Sequence, residues 1–166
     1  RSRLLITTIE AIRDKVGGNF PISVKLNSSD FQKGGFTHEE SIQVAKILNN
    51  TSLDLLEISG GTYENFTALE MDSFNLKKAK TIKPQRSTRV REAYFLKYAE
   101  AIKDVISIPL AVTGGFRSAE GMNNALQSGA CDVIGLGRPL CSEPDIVNKL
   151  ISGEKKSATL YENMLE

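Results

Sequence analysis

The chain has 166 residues, 40% of them hydrophobic, which is enough for one soluble domain with a real core. Its 21 basic side chains nearly balance its 20 acidic ones, so charge gives no argument for a nucleic acid or an acidic membrane as partner. No apolar run reaches the roughly 20 residues of a membrane span, and the first residues do not have the pattern of a secretory signal. We therefore expect no nucleic-acid and no membrane partner.

Two sequence details bear on location and origin. Cys131 and Cys141 match no metal-binding spacing, and a disulfide framework would need more cysteines. A reducing, cytoplasmic setting is therefore expected, with no metal site. The chain begins with Arg1 instead of Met, from which we expect a fragment or a processed product.

Strand-like and helix-like segments alternate along the chain, which is the pattern of βα units around a parallel sheet. In the first half, the apolar spacing predicts a helix over 3–16, a strand over 21–26, a helix over 37–50 and a strand over 53–58. The helix over 3–16 has an apolar stripe of Leu4, Leu5, Ile9, Ile12 and Val16. The helix over 37–50 begins with a capping box, in which Thr37 and Glu40 satisfy each other's backbone N–H groups.

The second half begins with a segment over 62–86 that has little periodicity and a cluster of lysines, as in a lid or a mobile loop. After it the pattern predicts a helix over 88–105, a strand over 110–113, a helix over 118–128, a strand over 132–136 and a helix over 143–152. The charged residues after Gly153 predict a solvated tail over 154–166. We therefore expect one domain over 1–153 with four βα units.

Two of the predicted strands end in glycine turns. Thr113, Gly114 and Gly115 end one strand, and Gly137 and Arg138 follow the next strand along the chain. Because parallel strands end at the same rim, these tips would present backbone N–H groups side by side. Such a concavity suits phosphate, and a guanidinium can hold two phosphate oxygens at once. The alternatives are a tight turn that merely needs glycine and a surface arginine at a loop end.

Five segments together resemble the old yellow enzyme family, FMN-dependent NAD(P)H:flavin oxidoreductases built on a TIM barrel. They occur in the order that the family shows, and the similarity runs from residue 1 to about residue 153. The segments are Pro21–Phe36, Leu53–Tyr63, Arg91–Ala99, Pro109–Arg117 and Asp132–Leu140. The resemblance implies an α/β fold that is a partial TIM barrel, strands five to eight of a (β/α)8 barrel, since a whole barrel needs about 250 residues.

The resemblance also implies roles for individual residues. Thr113, Gly114, Gly115, Gly137 and Arg138 match positions that bind the FMN phosphate in the family. Lys25 matches a basic residue near the flavin ring, where a cation stabilises the negative charge of the reduced flavin. From the residues alone, Lys25 could instead be the solvent-facing member of an alternating strand, although an inward position in a barrel favours the functional interpretation. The family's histidine or histidine–asparagine pair and its proton-donating tyrosine belong to the other half of the barrel, so no catalytic residue is predicted here.

The resemblance thus predicts an oxidoreductase that carries hydride from NAD(P)H through FMN to a small-molecule acceptor, such as an activated alkene or a quinone. A second hypothesis is a non-catalytic half-barrel that binds phosphate or flavin weakly or completes a partner chain. It follows from the two open strand edges of a half-barrel, which favour self-association or a complementary half-barrel. A third hypothesis, another phosphate-binding barrel enzyme, leaves the segments Lys25–Phe36 and Ser59–Gly61 unexplained.

Overall fold

The computed structural model describes residues 2–30, 33–59, 96 and 98–159. The helices are α1 (Arg3–Val16), α2 (His38–Leu48), α3 (98–103), α4 (Ala119–Gln127), α5 (Arg138–Ser142) and α6 (Ile146–Ile151). The strands are β1 (Ser23–Asn27), β2 (Leu55–Ser59), β3 (Leu110–Thr113) and β4 (Val133–Gly135). They form one parallel sheet in the order β1-β2-β3-β4. Parallel strands that alternate with helices confirm the predicted α/β class.

Most predicted elements are confirmed within three residues at each end, and the capping box at Thr37 is present. The predicted segment 62–86 and the first part of the predicted helix 88–105 lie outside the described residues. The helix predicted over 143–152 corresponds to α6, whereas the short helix α5 that precedes it was not predicted. Pro139 lies in the first turn of α5, where its fixed φ favours helix initiation, so the signal was present in the sequence.

The core lies between one face of the sheet and the helices. Alternate strand residues are buried there, because successive side chains of a strand point to opposite faces. The strand contributors are Leu56, Ile58, Leu110 and Val112, and the helix contributors are Ile9, Ala45, Leu48, Ala99, Ile102 and Ala125. The intervening strand residues lie on the opposite face. We call the latter the inner face, and its central row in register is Lys25, Glu57, Ala111 and Val133.

The apolar stripe predicted for α1 is buried only in part. Ile9 is buried, but Leu4 is 78% exposed, and Ile12 and Val16 are also exposed. The helix predicted from this spacing is therefore confirmed, and most of its apolar stripe is exposed. A helix that exposes much of its apolar stripe has a surface that further protein would cover.

Asp54 fastens the start of β2 to the start of β1. Its carboxylate accepts the backbone N–H of Ile22 at 2.7 Å and pairs with Arg13 of α1 at 2.5 Å. Arg13 also donates to the carbonyls of Gly17 and Phe20. The N–H of Ile22 and the Arg13 guanidinium lower the pKa of Asp54. Asp54 therefore ties two strands and a helix together.

Asp132 repeats this arrangement one pair of strands further along. It accepts the backbone N–H of Leu110 at 2.8 Å and pairs with Lys103 of α3 at 2.5 Å. Lys103 and the Leu110 N–H lower the pKa of Asp132. In both cases a carboxylate before one strand holds the first N–H of its neighbour together with a cation from the preceding helix. The amino-terminal rim is therefore fastened twice by the same device.

Charge predicted a solvated segment after Gly153, but residues 155–159 bind back onto the fold. The N–H of Ala158 donates to the carbonyl of Arg117 at 2.8 Å, and the N–H of Ala119 donates to the carbonyl of Lys156 at 2.9 Å. Ala158 is buried. The prediction of solvent exposure is thus wrong for this part of the segment, while 160–166 lie outside the described residues.

The carboxylate of Glu143 binds the same segment, residues 155–159. Only 6% exposed, it accepts the ammonium of Lys155 at 2.5 Å and the backbone N–H of Thr159 at 3.0 Å. These hydrogen bonds, with that of Lys155 the strongest, lower the pKa of Glu143 to about 2. The carboxylate therefore stays ionised at neutral pH and fixes the segment beside the turn that leads into α4.

Candidate functional site

The two predicted glycine tips are neighbours at the carboxyl-terminal rim of the sheet. Thr113, the last residue of β3, pairs in register with Gly135, the last residue of β4. Gly114 and Gly115 directly follow Thr113, and Gly137 lies two residues beyond Gly135. Because β3 and β4 are parallel and adjacent, both chains leave the sheet side by side at one rim. In parallel α/β folds this rim is where ligands bind.

The first tip needs glycine for its own backbone. Gly114 has φ 127° and Gly115 has φ 78°, values that residues with a side chain rarely adopt. Two successive residues of this kind turn the chain sharply after β3. Successive backbone N–H groups in such a turn can bind one anion together, as they do in backbone nests.

The second tip differs, because its glycine leaves space. Gly137 has φ −107°, and a Cβ placed there would meet no protein atom within 4 Å among the described residues. Packing against those residues therefore does not explain a glycine at this position. The open space beside Gly137 is what a ligand that approaches the backbone closely would require.

Gly135 is required by its neighbour, and sequence reasoning did not single it out. A Cβ at position 135 would lie 1.9 Å from Oγ1 of Thr113 and 3.2 Å from its Cα. The Thr113 hydroxyl therefore occupies the place of a side chain on β4. The sequence carried a weak signal, a glycine inside a strand-like run, which often marks close approach of another group.

The first turn of α4 is partly occupied by the protein itself. The Ser118 hydroxyl accepts the N–H of Gly121 at 3.0 Å, and the N–H of Ala119 goes to Lys156. These two donors are thus satisfied within the chain. Any phosphate affinity of this tip depends on the glycine turn and on the helix dipole, which still favours an anion.

Arg138 is the first residue of α5 and is exposed, directly after the open tip at Gly137. Its neighbour Pro139 is buried and anchors the first turn of α5. A second arginine near the rim, Arg117, is only 4% exposed and was not predicted as a site residue. Arg138 is therefore the exposed guanidinium that belongs to the same chain turn as Gly137.

Lys25 lies on the inner face, one residue from the core-facing Val24 and Leu26. Its ammonium pairs with the carboxylate of Glu57 on β2, at 2.7 Å, and its side chain is 54% exposed. Although burial pushes the pKa of Glu57 upward, hydrogen bonds from Lys25 and from the Thr113 hydroxyl lower it overall. Glu57 was not singled out from the sequence, but the alternation Leu56-Glu57-Ile58 beside Val24-Lys25-Leu26 contained the signal.

Other candidates are less involved. His38 is half-buried, with its ring edge-on to Tyr98 at 4.6 Å between centroids. Cys131 is buried, and burial raises the pKa of its thiol, whereas Cys141 is exposed. Gly60, Gly61 and Tyr63 lie outside the described residues.

No group of three or more His, Cys, Asp or Glu side chains in the described ranges could hold a metal ion. No helix in that part of the chain is long and apolar enough to cross a membrane.

Comparison with known proteins identifies the family. Residues 1–157 match the NADH:flavin oxidoreductase / NADH oxidase family, so the chain belongs to this family. This confirms the resemblance inferred from the five segments.

Curated relatives carry the same description. The chain is 35% identical over 161 residues to the NADH-dependent flavin oxidoreductase nadA of Aspergillus parasiticus. The aligned region covers 96% of this chain and 33% of the relative. It is 30% identical over 155 residues to an NADH oxidase of Thermoanaerobacter brockii, covering 93% of this chain and 22% of the relative. The chain therefore spans only a third or less of the length of these two relatives and corresponds to part of such a domain.

Solved structures give the corresponding fold. A 2-naphthoyl-CoA reductase matches with a TM-score of 0.73 at 26% identity, over 92% of this chain and 21% of that one. An old yellow enzyme homologue from Zymomonas mobilis matches with a TM-score of 0.63 at 22% identity, over 96% of this chain and 39% of that one. The four parallel strands and their helices thus match part of an old yellow enzyme TIM barrel.

Proposed function

We propose that this chain supplies the FMN phosphate site of an oxidoreductase that carries hydride from NAD(P)H through flavin to a small-molecule acceptor. Activated alkenes and quinones are the expected acceptors. The observation that supports this most is the pairing of Thr113 with Gly135, which makes the two glycine tips neighbours at the ligand-binding rim.

The chemistry of the donor set fits a phosphate. The turn at Gly114 and Gly115 offers backbone N–H groups, Gly137 leaves room for close approach, and Arg138 supplies a forked cation. In this proposal Thr113, as the end of β3, fixes where the first turn starts. When FMN is bound, its ring supplies hydride acceptance and donation.

Lys25 is the residue that we propose to face the flavin ring. It lies on the inner face, away from the core, and its ammonium is partly accessible. A cation near the ring favours the negatively charged reduced flavin. We propose no catalytic residue in this chain, so that its part in the whole domain is to hold and tune the cofactor.

Flavin uptake by the purified 166-residue chain tests the proposal. We expect FMN to remain with the protein through gel filtration, to show the visible flavin absorption band, and to be released on denaturation. Bleaching of that band by NADH or NADPH, reversed by a quinone, would extend the result from binding to hydride transfer. A chain that folds, by circular dichroism, but does not retain added FMN would contradict the proposed function.

A second candidate is a half-barrel that completes a partner chain or pairs with a second copy. One observation favours it: large apolar side chains are exposed in β4 and in the elements that flank β1 and β4, the two edges of the described sheet. These side chains are Leu4, Ile12, Phe20, Val133, Leu140 and Ile151. Exposed apolar residues beside open strand edges favour association.

The mass of the chain in solution tests the second candidate. Size-exclusion chromatography with light scattering should show a dimer or larger species, and the double variant Leu4→Ser, Ile151→Ser should shift it toward the monomer. A well-behaved monomer at all accessible concentrations would contradict self-association. Since both cysteines are free among the described residues, a cytoplasmic location remains our proposal.

A further inference from the structure

A polar ladder crosses the inner face of the sheet. Lys25 of β1 is in register with Glu57 of β2, and their charged groups meet at 2.7 Å. The Thr113 hydroxyl of β3 donates to the same Glu57 carboxylate. That hydroxyl in turn lies where a side chain of Gly135 on β4 would be, 1.9 Å from a Cβ built there. The Glu57 carboxylate thus has one partner on β1 and another on β3. Strand β4 takes part because Gly135 leaves room for the Thr113 hydroxyl.

The ladder differs from an isolated surface ion pair because Glu57 has a second partner besides Lys25. Glu57 has two partners, Lys25 and the Thr113 hydroxyl, and a side chain at position 135 would overlap that hydroxyl. A half-exposed ion pair by itself contributes little to folding. The Lys25–Glu57 pair lies beside the tip of β3, on the face away from the core. This position suits a role in ligand binding better than a role in folding.

We propose that Glu57 is a positioning residue that fixes Lys25 on the inner face and offsets the charge that Lys25 presents to the flavin ring. This inference rests on the proposed function. With the pair intact, the ring meets a cation whose charge is largely compensated at 2.7 Å. Removing the carboxylate charge while keeping its shape leaves the cation uncompensated, which favours the anionic reduced flavin over the oxidised one.

The measurement is the reduction potential of FMN bound to the 166-residue chain. Glu57→Gln should raise the affinity for reduced relative to oxidised FMN about tenfold, which for a two-electron couple is about 30 mV upward. Lys25→Met should move the potential downward, and Glu57→Asp, which keeps the charge, should stay closer to wild type than Glu57→Gln. Glu10→Gln, the same chemical change on the exposed side of α1, serves as the matched control.

A second readout needs no flavin. The exposed Lys25 is acylated by a small amine-specific reagent, and mass spectrometry follows its rate. Without the Glu57 charge, Lys25 should react about threefold faster or more, because the carboxylate no longer holds its ammonium. Lys103 and Lys149, which pair with Asp132 and Asp145, are internal controls and should not change.

The two readouts separate the possible failures. Unchanged acylation of Lys25 in Glu57→Gln would overturn the positioning role whether or not FMN binds. A potential that is unchanged or falls in Glu57→Gln would overturn the tuning role. If the wild-type chain takes up no FMN, the proposed function fails and the tuning role with it, while acylation still decides whether Glu57 holds Lys25.

Discussion

The two rims of the sheet are built from different materials. At the amino-terminal rim, Asp54 and Asp132 each hold a strand N–H and a cation from the preceding helix. At the carboxyl-terminal rim, β3 and β4 end in glycine turns, one with two left-handed residues and one with open space beside Gly137. The amino-terminal rim pairs strand N–H groups with carboxylates of the chain itself. The carboxyl-terminal rim instead leaves open space beside Gly137, where we propose that a ligand binds.

This difference separates stability from binding within one small sheet. Side-chain carboxylates fasten neighbouring strands where no ligand is expected, and glycine keeps side chains away where a phosphate is proposed. Substitutions at the first rim should therefore change the free energy of unfolding and leave FMN affinity alone. Substitutions at the second rim should do the reverse, except where a glycine is needed for a left-handed backbone, as at Gly114 and Gly115, or for packing.

The largest expected effect is at the glycine needed for packing, Gly135. Gly135→Ala should lower the free energy of unfolding by about 3 kcal/mol, because its Cβ would overlap the Thr113 hydroxyl. Gly137→Ala, the matched control, should change the unfolding free energy by less than about 0.5 kcal/mol, since its Cβ meets open space. Urea denaturation measures both. Equal losses at the two glycines would contradict the described packing, and Thr113→Ala should recover part of the loss in Gly135→Ala.

The next effect concerns FMN binding. Arg138→Ala should weaken FMN binding by about 1.5–3 kcal/mol through loss of a charged hydrogen bond to phosphate. Arg138→Lys should recover only part, because an ammonium lacks the fork of a guanidinium. Lys46→Ala, on the exposed side of α2, is the control for loss of one positive charge. Unchanged affinity in Arg138→Ala would remove Arg138 from the site.

A smaller effect is expected at the opposite rim. Asp132→Ala should lower the free energy of unfolding by about 1 kcal/mol, because Leu110 loses its acceptor and Lys103 its partner at a half-exposed position. FMN affinity should not change. Isothermal titration with FMN beside urea denaturation gives both values, and a variant that weakens FMN binding without destabilising the fold would contradict the separation of the rims.

The last prediction concerns acid. Because the pKa of Glu143 falls from its ordinary value of 4.5 to about 2, its contribution to stability is fully present above pH 4.5 and is lost as the pH falls toward 2. Glu143→Gln should therefore flatten the loss of stability across this window, and Glu10→Gln should leave it unchanged. Thermal unfolding between pH 2 and pH 6 measures the slope. An unaltered slope in Glu143→Gln would show that the Lys155 pair does not form.

Much of the fold could be predicted because its signals are local. Apolar spacing and the capping box at Thr37 located the helices, and short apolar runs located the four strands. The glycine tips could be found because parallel strands end at one rim, so their sequence positions imply proximity. The family followed from the order of five segments, a signal that no single one of them carried.

What could not be predicted depends on register and on long-range contacts. That Lys25 meets Glu57, and that Thr113 fills the place of a side chain at Gly135, follow only from how the strands align. The attachment of residues 155–159 was missed because its charges suggested solvent, whereas Glu143 neutralises Lys155 from a buried position. The exposure of Leu4 was missed because a helical stripe shows which face is apolar and not whether anything covers it.

The most direct test of the central claim compares FMN with riboflavin, which has the same ring and no phosphate. Titration of each into the 166-residue chain should show FMN binding at least about tenfold more tightly, with that advantage reduced by Arg138→Ala and by competing inorganic phosphate. Equal affinity for the two flavins would contradict a phosphate site at the tips of β3 and β4.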